Sequence, residues 1–368
     1  MKINGICLLV VLLLLIPSAV AMEEEDTKTR ELPPTFCWCN IDGIEYTTPI
    51  KNQEPAPLCE AYALCAALET IVQYQVGMPF NCDLSEAHLF FYAGGTCDWG
   101  VELTDAANYL LEYGVPDEGC FPDPHRPEDG PFESLPGWEN RTVKIQEWGW
   151  VDNDITSIKQ ALIDHGPLVV CILQRLDFLV YWGGIYTPGL GRIRNGHVVT
   201  IVGYDDLQEC WIFRNSGGTA WGEEGYARVS YYAHSEDCPF IWPFYGGTGI
   251  MYIDGAYGNL NPDVPQVYIE SPQRQHTYLF GRQLPTLFKK IPFIQRGIPR
   301  IIGDQTVRIN ANNTEYVEFY IDGELQCTDM QAPFEWDLES PRGFHTLEIF
   351  GYKDANASKA LLDFYKIF

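Results

Sequence analysis

Basic residues are scarce in this chain: 24 Lys and Arg stand against 50 Asp and Glu, a formal charge of −26 over 368 residues. Such a surface repels phosphate backbones and anionic lipid, so nucleic acid and membrane headgroups are poor partners. Charged residues are only 20% of the chain, so the imbalance reflects missing cations as much as added carboxylates. It reads as a solubility feature and not as a clue to substrate. Long apolar runs are missing too. The run Cys7–Ile16 is too short for a comfortable membrane span, and no later stretch approaches one. It lies behind Lys2 and ahead of Ala19-Val20-Ala21, a small-residue cleavage site, so residues 1–21 read as a secretory signal. The expectation is a protein secreted or held at the cell surface, without an integral membrane segment once the signal is removed. The seven histidines are scattered; no metal cluster competes, and no metal or cofactor is expected.

Cysteine, by contrast, is plentiful. Of 12, Cys7 leaves with the signal; setting Cys59 aside leaves ten, an even number that suits disulfides in an exported chain. Parity does not decide the matter, because Cys65, Cys171 and Cys327 lie in apolar patterns that suit plain buried thiols equally well. Cys37-Trp38-Cys39 has no second cluster to complete a metal site and reads as a pair of disulfide partners.

The most informative stretch surrounds Cys59. Pro55 and Pro57 precede it and suit a helix entrance. Ala61–Gln75 follows, free of Gly and Pro, with Leu64, Leu68, Ile71 and Val72 at the steps of one helix face. The thiol thus stands at a helix N-terminus, where unpaired N–H groups and the dipole favour an anion and lower a thiol's pKa.

Here the chain resembles the papain-like cysteine peptidases. In that family a Lys-Asn-Gln run places the Gln six residues before the nucleophile, as Lys51-Asn52-Gln53 does before Cys59. Asn195–Tyr204 looks like the family's histidine segment and Trp211–Gly222 like its asparagine segment. His197 follows Cys59 by 138 residues (197 − 59) and Asn215 by 156 (215 − 59), in the family's order; the expected separation is roughly 130–150. The resemblance implies that Cys59 attacks, His197 holds the thiolate and protonates the leaving amine, and Asn215 orients the imidazole. Gln53 and the Cys59 N–H would form the oxyanion hole. Cys97-Asp98-Trp99-Gly100 is similar to the family's Cys-x-Gly-Gly turn, which implies substrate contacts at Trp99 and Gly100, with Gly196 beside the histidine as a third.

Two positions depart from the pattern. Trp normally follows the nucleophile, and here the residue is Glu60; Trp normally shields the asparagine two residues on, and here it is Gly217. A carboxylate beside the thiolate opposes its ionisation. Successive helix residues point about 100° apart, so Glu60 faces either the thiol or solvent. Losing the indole lets water reach the Asn215–His197 bond, unless neighbours fill in. The family's bridge just before the nucleophile cannot form, since Ala56 replaces its cysteine.

The whole chain reads as α+β. A tether, residues 22–34, follows the signal and is too short for the long helical propeptide usual in the family. A two-lobed papain-like unit, helical lobe plus β-rich lobe, spans residues 35–256. Within it Leu84-Ser85-Glu86 opens a second helix, Asp105–Tyr113 forms a third, and Gly166–Ile172, Val198–Gly203 and Cys210–Phe213 are strands. A Pro/Asn/Asp-rich linker covers 257–266. Residues 267–368 alternate in short runs, with Asp322-Gly323 as a hairpin turn, as in a small all-β sandwich. The phrase Val317–Gly323 resembles Ig-like modules of bacterial and archaeal surface proteins, which implies a cell-surface ligand. The functional expectation is an exported thiol endopeptidase acting on peptide or protein substrate. The alternative is a weakened or inactive papain fold serving as a peptide-binding or surface-adhesion module.

Overall fold

Helix α1 (Cys59–Val76) begins at the residue picked out above and is buried from Glu60 through Gln73. The single apolar face expected from its leucines understates this. Ala61, Ala63, Ala66 and Ala67 are also buried, and a helix covered on all sides belongs in a core, not at a surface. Gly77 ends it in the left-handed conformation (φ 78°), donating to the carbonyls of Gln73 and Tyr74. The computed structural model describes residues 32–80, 82–124, 130, 132–189, 192–233, 240–243, 247–259, 264–273, 276–284 and 298–368. The expected export signal, most of the tether and residues 260–263 of the linker lie outside the described residues.

Helix α2 (Glu86–Tyr92) starts where expected, with the Ser85 hydroxyl capping the His88 N–H, and α3 (Leu103–Glu112) follows. Strands β1 (Thr35–Cys37), β2 (Val143–Trp150), β3 (Leu168–Arg175), β4 (Ile185–Tyr186), β5 (Ile193–Asp205), β6 (Cys210–Arg214), β7 (Tyr226–Ser230) and β8 (Ile250–Gly258) form one sheet. Its order is β2-β8-β3-β5-β6-β7-β4, with β1 pairing β5. Helices α4 (Ile155–Asp164) and α5 (Leu176–Leu179) complete this part.

Strand alternation divides the sheet between two cores. Val169, Cys171 and Val198 pack with α1, α2 and α3, whereas Leu168, Val170, Ile172 and Val199 face a second cluster built on Phe178, Phe213 and Phe240. The period of two therefore puts one strand into both the helical and the β-rich lobe.

From Gln266 onward the described chain is all strand. β9 (Gln266–Ser271), β13 (Thr306–Asn312) and β16 (Glu335–Asp337) make a three-stranded sheet. β10 (Thr277–Leu279), β11 (Arg282–Gln283), β12 (Arg300–Ile302), β14 (Tyr316–Ile321), β15 (Glu324–Asp329), β17 (Gly343–Lys353) and β18 (Asn356–Lys366) make a seven-stranded one. Val307 and Ile309 of the first meet Phe319, Ile349 and Phe364 of the second in one core. Asp322 (φ 51°) and Gly323 (φ 81°) form the tight β14–β15 turn, both left-handed as a two-residue hairpin requires. Strand β18 rests on the peptidase-like part. Arg141 clasps Asp117 through two nitrogens (2.8 and 2.6 Å) and donates its third to the Ala357 carbonyl. A Cβ on Gly119 would stand 2.5 Å from that of Ser358.

The cysteines correct one expectation. Cys37 and Cys39 are bonded to each other, but Cys65, Cys82, Cys120, Cys171, Cys210 and Cys327 are thiols. Most sit in apolar cores, where a thiol packs as a small hydrophobe.

Candidate active site

Cys59 is the first residue of α1, and Leu58 before it supplies no side-chain cap. The thiol is half-buried. It donates to Glu60 Oε2 at 3.3 Å and lies against the backbone amide of Val198, the residue after His197. Burial pushes the thiol well above its ordinary range; the charge of Glu60 pushes it further, and the Val198 N–H offsets only part. The lowering expected at a helix N-terminus is therefore overturned. A dipole worth about 0.3–1 kcal/mol at exposed sites does not outweigh burial plus a carboxylate in contact.

Glu60 settles the alternative of thiol or solvent: it is 7% exposed and turned inward. A Cβ on Gly100 would lie 3.2 Å from Glu60 Oε1, so the carboxyl sits between the Cys59 thiol and the turn read as substrate-binding. Burial raises its pKa to about 7, with its own N–H and Cys59 opposing and Glu102 adding to the rise.

His197 stands on β5, opposite Ile172 of β3, and its Nε2 meets Asn215 Oδ1 at 2.9 Å. That oxygen also accepts from the Ser216 N–H at 2.9 Å, which identifies it as the oxygen. Nε2 then carries the ring proton, leaving Nδ1 with the lone pair. Burial lowers the imidazole's pKa, partly opposed by Asn215. Both shifts run toward the uncharged forms, a thiol and a neutral imidazole.

Asn215 follows β6 and is only 7% exposed despite the missing indole. A Cβ on Gly217 would lie 3.4 Å from Asn215 Nδ2 and 3.7 Å from Trp221 Cβ. The Gly217 backbone pairs with Asn52, and Trp221 packs edge-on against Phe178. Neighbours thus fill in, and the expected opening to water is not seen.

Gln53 ties the stretch before the helix to the stretch after β6. Its N–H donates to the Ser216 carbonyl (3.0 Å), its Oε1 accepts from the Ser216 hydroxyl and its Nε2 donates to Ala56 O at 3.2 Å. The second Nε2 hydrogen remains for an oxyanion. Gly100 is left-handed at φ 79°; its N–H donates to Thr96 O at 2.8 Å and its carbonyl accepts from Thr96 N at 3.0 Å. Only the second lone pair of that carbonyl is open to a substrate strand. Trp99 is 90% exposed, and Gly196 is exposed beside His197.

Sequence reasoning missed the frame beneath these residues. Lys51 Nζ reaches Glu69 (2.8 Å), Glu86 (2.7 Å), Asp83 and the Leu84 carbonyl. Thr48 donates to Glu69, and Arg214 donates to Thr48 Oγ1 and Pro49 O. Segment 48–51, just before Gln53, is thereby locked to Arg214, just before Asn215. Burial pulls Lys51 down, but Asp83, Glu69 and Glu86 outweigh it and hold the ammonium well above its usual range. Burial lifts Glu86 to about 8, against the pull of Lys51. The only sequence signal was an unexplained lysine in the Lys-Asn-Gln run.

A helical lobe and a β-rich lobe meeting at a cysteine, a histidine and an asparagine describe a class of thiol hydrolases. Residues 32–240, more than half of the chain, match the description "Papain family cysteine protease", and the chain belongs to that family. Among curated relatives, it is 30% identical over 233 residues to the viral cathepsin of Cydia pomonella granulosis virus, covering 58% of this chain and 64% of that one. It is 30% identical over 204 residues to mexicain of Jacaratia mexicana (54% and 88%). It is 42% identical over 172 residues to the cathepsin B-like CP3 of Giardia intestinalis (43% and 52%). The matched region spans less than two thirds of the viral cathepsin and of mouse cathepsin 7, at 64% and 62%. Among solved structures, the bromelain protease of Ananas comosus in complex with the E64 inhibitor superposes with a TM-score of 0.50 at 25% identity. That match covers 61% of this chain and 99% of bromelain. No described helix is long and apolar enough to cross a membrane.

Proposed function

We propose that the protein is an exported thiol endopeptidase in which Cys59, His197, Asn215 and Gln53 hydrolyse peptide bonds. The observation that carries this reading is the His197–Asn215 bond at 2.9 Å, on the strand whose next residue touches the Cys59 thiol. The lone pair on His197 Nδ1 takes the S–H proton as sulfur bonds to the substrate carbonyl carbon. The carbonyl π pair moves onto oxygen, where Gln53 Nε2–H and the Cys59 N–H receive it. The imidazolium returns its proton to the amine as the C–N bond breaks. Water, deprotonated by His197, then releases the acid and restores the thiol.

Residues 267–368 serve in this reading as an Ig-like module that holds the enzyme to a cell-surface ligand. A second reading, a peptide-binding or adhesion protein with a silent site, is favoured by one observation: the thiol is held up by burial and Glu60. Labelling with an epoxide or vinyl-sulfone thiol probe, together with casein cleavage under reducing conditions, separates the two. Labelling and cleavage that vanish in Cys59→Ala support the peptidase; cleavage that persists there sinks it.

A further inference from the structure

Glu60 touches the reacting sulfur, is turned away from solvent and has no described Lys or Arg pairing with it. We propose that Glu60 is a catalytic residue of this site, hydrogen-bonded to the Cys59 sulfur and working in its protonated form. When ionised, its Oε2 accepts the S–H hydrogen bond and holds the nucleophile as a thiol. When protonated, the same oxygen donates O–H to the thiolate and helps His197 to stabilise it.

The geometry fits both forms. Cys59 Sγ and Glu60 Oε2 are 3.3 Å apart, so the thiol donates when the carboxyl is ionised and the carboxyl donates when it is protonated and the sulfur is a thiolate. The carboxyl belongs to the first turn of α1 and is 7% exposed, so water does not replace the thiol as its partner. The groups facing it are few. On its own helix there is Cys59; Glu102, before α3, adds negative charge; and Cys171 of β3 is pushed up to about 12, first by burial and then by Glu60 itself. His197 of β5 precedes Val198, whose amide meets the thiol, and is itself lowered by burial. No cation in this set fixes Glu60 in the ionised form, and burial brings it to titrate near 7. The position therefore answers to acidification in the range where ordinary carboxylates no longer respond.

The proton balance is closed. In the acid form, Glu60 carries its own proton, and the S–H proton resides on His197 as an imidazolium. Sulfur attacks as thiolate, the oxyanion forms, and the leaving amine takes the His197 proton, while Glu60 keeps its own throughout. In the ionised form, the S–H must first break its bond to Glu60 before His197 can accept it. The consequence is an enzyme whose nucleophile is most reactive in acid and is silenced as Glu60 ionises. This rests on the thiol-hydrolase reading of Cys59 but says more than that reading does, since the family carries Trp at this position.

The test is the rate of Cys59 alkylation by iodoacetamide in the full chain, quantified on the Cys59 peptide by mass spectrometry. For the unmodified sequence the rate should fall at least about fivefold between about pH 5.5 and about pH 8. In Glu60→Gln, whose amide donates to sulfur without titrating, that fall should disappear. A rate that rises steadily with pH, or a fall that survives in Glu60→Gln, overturns the proposal. Infrared titration covers the case in which Glu60→Gln does not fold. Alkylating Cys59 should shift the titration of one buried carboxyl, and identical titrations before and after alkylation overturn the coupling of Glu60 to the sulfur. The two readings fail separately. Expected alkylation profiles without peptide cleavage sink the peptidase and leave the pair standing; cleavage with coincident profiles does the reverse.

Discussion

Glu69 and Glu86 lie buried around a lysine; Glu60 lies buried against a thiol. All three are on the helical lobe, and all three are nearly removed from water. The first two share Lys51 Nζ at 2.8 and 2.7 Å, and their work is to hold segment 48–51 where Gln53 needs it. Glu60 has its own N–H, a weak sulfur donor and the like charge of Glu102, and it titrates near neutrality. The difference teaches that burial alone does not assign a role to a carboxyl. Glu86 is lifted too, to about 8, so what separates Glu60 is its neighbour: Lys51 ties Glu69 and Glu86 into the frame, whereas the Cys59 thiol puts Glu60 where a change of its charge acts on sulfur.

The strongest way to sharpen that comparison is to remove the proposed nucleophile and its base. Cys59→Ala and His197→Ala should each lower kcat/KM on a fluorogenic peptide by about 10⁴-fold or more, and the double variant should lose little beyond either, because the two act as a unit. Circular dichroism should show the fold retained, since neither residue belongs to the Lys51 frame.

Breaking the frame should act on stability instead. Lys51→Met strands Glu69, Asp83 and Glu86 together in the interior, and we expect a loss of about 3–5 kcal/mol in urea unfolding. An unchanged midpoint would mean that the carboxyls simply protonate and that the lysine holds nothing in place.

The third test uses pH. Glu60 has a folded value of about 7 against an ordinary 4.5, and Glu86 about 8. A carboxyl raised on folding binds more protons in the folded state. Its stabilising contribution is therefore full below the ordinary value and is lost as pH rises through the folded one. Between about pH 4.5 and about pH 8 the unmodified protein should lose on the order of 3 kcal/mol more stability than Glu60→Gln does. Parallel curves from thermal melts at fixed ionic strength would show that Glu60 is already charged in the folded protein.

The smallest expected effect is at Ser216, whose hydroxyl donates to Gln53 Oε1. Ser216→Ala should remove about 1 kcal/mol of positioning, roughly fivefold in kcat with KM little changed. An equal loss in KM would place Ser216 in substrate binding.

The helices starting at Cys59 and Ser85 were legible because local signals fix them: prolines ahead of one, a capping serine for the other. So were β3, β5, β6 and the Asp322-Gly323 turn. Strands β2 and β8 were not, because their residues pair across the sheet from Val143↔Gly258 to Trp150↔Met251, a separation that leaves no local trace. Cys59, His197 and Asn215 were singled out through their motifs. The Lys51 frame was invisible, since Lys51, Glu69, Asp83, Glu86 and Arg214 have no periodic relation in the chain.

By itself the sequence determined the family, the order of the chemical groups and the fact that Glu60 and Gly217 stand where tryptophans usually do. These depend on residue identity and short spacing, which a linear chain carries. Which way Glu60 points, whether Asn215 stays dry without its indole and whether the helix dipole governs the thiol were decided only by the tertiary structure. Each depends on how much water a group loses and which charge lies within a few ångströms, and those distances exist only after the two lobes have packed.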